Sequence, residues 1–80
     1  MGHIVYVLRD ELGTLYKGMT NNLGRRLQEH GRGSTKTTAK MKKPTVAYAE
    51  EFDTFEAARK RELYFKTAAG RRFLKKKLGP

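Results

Sequence analysis

The run His3-Ile-Val-Tyr-Val-Leu8 is β-branched and aromatic, and it is apolar on both of its alternating faces. A strand with one wet face alternates apolar and polar residues; one without a polar face reads as a central strand, covered on both sides. The chain that must supply those covers has 80 residues, enough for one domain. A domain of that size buries only about 60% of its unfolded surface, so its core is thin.

The rest of the chain supplies the partners. Asp10 to Gly13 carries turn chemistry, with Gly13 able to adopt positive φ, and Thr14 to Met19 reads as the returning strand of a hairpin. The loop length brings Tyr6 and Tyr16 within about one residue of facing each other. Gly18, inside that strand, marks a place where a ligand or another backbone comes close. Thr20, Asn21 and Asn22 are consecutive N-cap candidates, Leu23 and Leu27 give the buried face of a helix, and Gly31 and Gly33 end it. Arg32 to Lys43 is polar, basic and without apolar period, and is expected to be a mobile loop. Pro44 opens a third strand, Thr45 to Phe52, with Val46, Tyr48 and Phe52 expected on one face. Asp53 is placed to cap a second helix, with Glu56 three residues on, and Phe55, Ala58, Glu62 and Phe65 follow at helical spacing. Thr67 to Gly70 break that pattern. Arg71 to Leu78 forms a last helix with Phe73, Leu74 and Leu78 facing in. The order ββαβαα predicts an α+β fold, an antiparallel three-stranded sheet flanked by helices.

Composition narrows the function. No run approaches the roughly 18 apolar residues of a membrane span, and Met1-Gly2-His3 leads straight into a strand without a signal-peptide pattern, so the cytoplasm is the expected location. Cysteine is absent, which excludes disulfides and thiolate metal sites. A metal would be held by oxygen or imidazole, pointing to Mg²⁺ or Mn²⁺ rather than structural zinc. Lys and Arg total 18 against 8 acidic residues, a net charge of +10. On so small a body that balance favours a polyanion, nucleic acid first; an anionic membrane surface and simple solubility are the alternatives.

Tyr6, Tyr16, Arg26 and His30 stand at steps of 10, 10 and 4. Two phenols on neighbouring strands and two helix residues one turn apart are expected to converge. Glu62 lies on the apolar stripe of its helix, where a carboxylate costs free energy unless paired or bound to a metal. Phenol, guanidinium, imidazole and carboxylate together suit phosphodiester cleavage, which needs an activated water, neutralised phosphoryl charge and help for the leaving oxygen. Each residue also has a plainer role: core aromatics for the tyrosines, a surface imidazole for His30, an i,i+3 pair with Glu29 for Arg26, an i,i+4 pair with Lys66 for Glu62. Lys17, Arg25, Lys36, Lys40, Lys42 and Lys43 are candidate backbone contacts, or a solvated surface.

The pieces Ile4-Val-Tyr6, Leu15-Tyr-Lys-Gly18, Leu23 to His30 and Arg61 to Lys66 resemble the GIY-YIG nuclease domain, in particular its small stand-alone bacterial members. The similarity runs from His3 to about Leu78. It implies phosphodiester hydrolysis with one divalent cation, Mg²⁺ or Mn²⁺. It also implies Tyr6 and Tyr16 as the tyrosines of the two tripeptides, Arg26 as the helix arginine, His30 one turn on and Glu62 as the metal ligand. Tyr6 is preferred as the base and Tyr16 as donor to the phosphate, with the reverse order open. The chain departs from the family in reading Ile-Val-Tyr and Tyr-Lys-Gly, and in lacking an evident C-terminal asparagine. A metal-dependent DNA endonuclease is the leading expectation. A non-catalytic nucleic-acid-binding module and an RNA-binding accessory protein are the competitors. With no attached recognition domain, such a chain is expected to read DNA structure, or to take specificity from a protein partner or from self-association.

Overall fold

The computed structural model describes residues 2–31 and 40–79, with backbone alone for 30 and 31. The elements are β1 (His3–Arg9), β2 (Leu15–Thr20), α1 (Leu23–Gly31), β3 (Thr45–Phe52), α2 (Phe55–Phe65) and α3 (Ala68–Leu78). Both strand pairings are antiparallel and the sheet order is β2-β1-β3. The doubly apolar run is thus the central strand.

Its alternation sorts the core into two layers. Val5 and Val7 pack with Ala58, Phe65 and Leu74, so α2 and α3 cover one face; Tyr6 and Leu8 pack with Leu23, Leu27 and Met41, so α1 covers the other. Val5 to Leu8 are all essentially inaccessible to solvent. Met41 was hidden in what reads as a featureless basic loop; its side chain anchors that loop's end beside Tyr6 and Leu8.

The hairpin turn is built on Asp10. Its Oδ1 accepts from the amides of Leu12 and Thr14 at 3.0 and 2.8 Å, and Oδ2 accepts from the Lys42 amide at 3.1 Å. Gly13 takes φ 86°, the left-handed region open to glycine. Arg9 consequently pairs with Leu15, which places Gly18 opposite Tyr6 and Tyr16 opposite Leu8. The two phenols are therefore diagonal neighbours on the α1 face, two residues from facing rather than one.

The third strand departs from simple alternation. A register shift between Val7 and Leu8 sets Val7 against Tyr48 but Leu8 against Val46. Val46 thereby moves to the opposite face from Tyr48 and Phe52, and is 39% exposed. A β-bulge of this kind changes which side every following residue occupies.

Caps also differ in detail from expectation. Asn22 Oδ1 accepts from the Arg25 amide at 3.0 Å at the start of α1. For α2 the cap is Thr54, not Asp53: its side chain accepts from Ala57 N at 3.2 Å. Thr67 does more than break a pattern. It caps α3 through the Gly70 amide at 3.1 Å, so α3 starts at Ala68. Gly70 is obligatory there, because a Cβ would run into the Tyr64 carbonyl.

Candidate active site

β1, β2 and α1 bring three of the five predicted side chains together on one sheet face. Arg26 projects from the end of the first turn of α1, and its Nε donates to the Tyr6 hydroxyl at 3.3 Å. Its Nη1 donates to Glu29 at 3.0 Å, the i,i+3 pair also legible in the sequence. The Tyr6 and Tyr16 rings lie 6.2 Å apart at 38°. Hydrogen bonding to Tyr6 first, then to Glu29 and Tyr16, holds the guanidinium firmly in its charged form. Gly18 is what allows the phenols to sit so close to β2: a Cβ there would stand 2.8 Å from the Tyr6 oxygen and 3.0 Å from Tyr16 Cε1.

The two tyrosines have different environments. Tyr6 is wholly buried, whereas Tyr16 is half-buried and Arg26 keeps 31% of its side chain exposed. Burial pushes the Tyr6 phenol above its ordinary range, and this outweighs the opposing pull of the Arg26 hydrogen bond. A phenol so placed holds its proton at neutral pH.

Glu62 comes from the other side of the sheet, on the stripe of α2 that includes Ala58 and Phe65. It is 7% exposed. Arg59 Nη1 donates to one oxygen at 2.8 Å and Lys66 Nζ to the other at 3.4 Å, so the plain i,i+4 partner is present and Arg59 joins it. Among the described residues no cluster of three acidic or imidazole side chains could enclose a metal. The protein's share of a metal site would then be this single carboxylate. That donor set fits a hard cation that keeps most of its water and takes phosphate oxygens from a substrate, the habit of Mg²⁺.

The remaining residues spread around this face and beyond it. Arg25 is exposed at the start of α1. Lys40 and Lys42 are exposed on either side of buried Met41, and Lys43 lies 3.7 Å from Glu11. Lys17 points to the α2–α3 side, since it pairs with Val7. Lys36 and the His30 side chain lie outside the described residues.

A second polar constellation escaped sequence reasoning. Arg61 donates through Nε and Nη2 to Glu50 at 2.7 and 3.4 Å, and Tyr48 donates to Glu50 at 2.8 Å. The guanidinium carbon lies 5.0, 4.8 and 4.8 Å from the ring centres of Tyr64, Phe65 and Phe73. This ties β3 to α2 and α3. The signal was split over three elements, with no spacing rule to join them.

Two concavities, about 480 and 600 Å³, lie at the hairpin turn against Leu78 and are lined in part by Arg9, Asp10 and Glu11. Neither includes Tyr6, Tyr16, Arg26 or Glu62.

The fold is that of a nuclease-type domain family. The model of the GIY-YIG catalytic domain matches residues 2–77, and the chain belongs to that family. Similar proteins include a UPF0213 protein of Staphylococcus saprophyticus, 32% identical over 91% of this chain and 90% of its own. Another, from Bacillus licheniformis, is 42% identical over 80% of this chain and 67% of its own. The solution NMR structure of a UPF0213 protein from Bacillus halodurans superposes with a TM-score of 0.61 at 27% identity, covering all of this chain and 89% of that one. No described helix is long and apolar enough to cross a membrane.

Proposed function

We propose that the chain is a metal-dependent endonuclease that hydrolyses DNA phosphodiester bonds and selects DNA by structure rather than by sequence. The observation that carries this reading is the Tyr6–Arg26–Tyr16 group on a body of net charge +10. Arg26 binds the scissile phosphate in a planar fork and stabilises the charge that develops on it. Tyr6, buried and protonated, positions Arg26 from behind. The phenol that meets solvent is Tyr16, which orients the attacking water or the phosphate; Tyr6 serves Arg26 and is not the base. His30, one turn beyond Arg26, is the candidate proton relay.

Glu62 is the residue that would hold Mg²⁺ or Mn²⁺, from α2 on the sheet face opposite Arg26, so the ion and the guanidinium would meet the substrate strand from different faces. A bound ion would supply Lewis-acid stabilisation and lower the pKa of its water. Arg59 and Lys66 must yield for that to happen. Lys40, Lys42 and Arg25 add long-range attraction for the DNA backbone, which weakens with salt.

The test is a nicking assay on supercoiled and branched DNA with each metal in turn. The parent nicks; Arg26→Ala and Glu62→Ala lose at least about 100-fold in rate. Cutting by Glu62→Ala at the parent's rate would sink the metal assignment.

The sealed Tyr6 and the doubly engaged Glu62 favour a second reading, a nucleic-acid-binding module without activity. It predicts no cleavage by any variant, and equal DNA affinity for the parent and the Arg26→Ala, Glu62→Ala double variant.

A further inference from the structure

β2 is an edge strand, and its alternation divides its side chains between two faces. Tyr16 and Gly18 lie on the Arg26 side. Lys17, between them, pairs with Val7 and so stands on the face covered by α2 and α3. Leu15, two residues away on the same face, lines one concavity with Arg71 of α3. Lys66 is the C-cap of α2 and Arg71 lies in the first turn of α3. Thr67 and the obligatory Gly70 fix the intervening turn, so the two cations are held in a set relation.

These three charges feel one another. Burial lowers the Lys17 pKa, and Arg71 and then Lys66 lower it further. Among the described residues neither Lys17 nor Arg71 has an acid within ion-pair distance, and Lys66 has only the 3.4 Å contact to Glu62. Gathering three like charges from three elements around a single carboxylate, which Arg59 also engages, costs free energy that an anion would recover. Surface lysines that serve only solubility have no need to be drawn together.

We infer that Lys17, Lys66 and Arg71 form a second phosphate site, so that a DNA strand straddles the free edge of β2. One phosphate lies against Arg26 and Tyr16 on one face, and another lies against this cationic group on the other. A binding track over an edge strand also explains how an open site could register a backbone without reading bases. The assignment rests on the nuclease reading and adds the path of the substrate.

The test measures fluorescence anisotropy of a short labelled DNA duplex in EDTA, where no cleavage occurs, across a salt series. Lys66 is left intact because it also touches Glu62. The Lys17→Gln, Arg71→Gln double variant loses about 10-fold in affinity, and its log–log salt slope shrinks by about 0.9, the value of one phosphate contact. Arg71→Gln alone, exposed and safe for folding, shifts the slope the same way by less than that. The control Arg72→Gln, Lys76→Gln, equal in charge and on the exposed face of α3, retains most of the parent slope. If the double variant and the control shift the slope equally, the track is refuted while the nuclease reading survives. If the parent itself fails to bind duplex, both fall together.

Discussion

Gly18 lies directly across the β1–β2 pair from Tyr6, and a Cβ on it would stand 2.8 Å from the phenol oxygen. The smallest side chain thus decides where the Tyr6 hydroxyl points, and through it where Arg26 is held.

Gly18→Ala should accordingly disturb site and fold together. Overpacking of this kind costs about 1–3 kcal/mol, read as a lower urea midpoint. DNA nicking should fall more steeply than stability, because the Tyr6–Arg26 bond must lengthen. Unchanged nicking in a folded Gly18→Ala protein would count against that bond.

The two phenols should separate in kinetics. Tyr16→Phe is expected to lower kcat about 100-fold, the usual scale for losing a group that handles water or phosphate. Tyr6→Phe keeps the buried ring and removes only the partner of Arg26, so a loss of about 10-fold is expected. Because burial raises the Tyr6 pKa, the parent's pH–rate profile should show no basic limb below about pH 9 assignable to Tyr6. A limb near neutrality that Tyr6→Phe abolishes would restore Tyr6 as base.

Arg59 and Lys66 compete with a cation for Glu62. The Arg59→Gln, Lys66→Gln double variant should bind Mn²⁺ several-fold more tightly, measured as free Mn²⁺ by electron paramagnetic resonance, and Glu62→Gln should bind it more weakly than the parent. An affinity unmoved in all three would place the metal elsewhere.

Acid should unfold the protein by an identifiable route. Burial pushes Glu50 up, but hydrogen bonds from Arg61 and Tyr48 outweigh it and hold the carboxyl below its usual range. Asp10 is likewise held down, by the amides of Lys42, Thr14, Leu12 and Gly13, against its own desolvation. A carboxyl with a depressed folded pKa stabilises above its unfolded value, and that contribution disappears as pH falls through the folded one. Stability should thus be level above about pH 5 and decline below about pH 4. Glu50→Gln should flatten part of that decline in urea titrations.

Arg61→Lys tests the aromatic-lined ion pair. A lysine keeps the charge but loses the fork to Glu50 and the flat contact with Tyr64, Phe65 and Phe73. A cost of about 1–2 kcal/mol in denaturation is expected, with DNA affinity unchanged.

Most of the architecture was legible because it rests on local pattern. The doubly apolar run announced the central strand, and Leu23 with Leu27 announced the covered face of α1. What failed was whatever depends on a neighbour in space. The bulge that turns Val46 outward follows from pairing with β1, not from β3 itself. The offset between Tyr6 and Tyr16 follows from how Asp10 gathers its amides, including that of distant Lys42. Thr54 rather than Asp53 caps α2, a choice between adjacent side chains that composition does not make. At the site, the Arg26–Glu29 and Glu62–Lys66 pairs were visible from spacing. Arg59 stands at an equally legible i,i+3 spacing from Glu62, while the burial of Tyr6 emerges only from packing.

That burial has one more implication. The ring that orients the guanidinium is also a wall of the smaller hydrophobic layer, touching the same cluster as Leu8 and Met41. Loosening that layer anywhere, even at Met41 on the far loop, should blunt the site before the molecule melts, so activity would serve as an early gauge of softening in the interior.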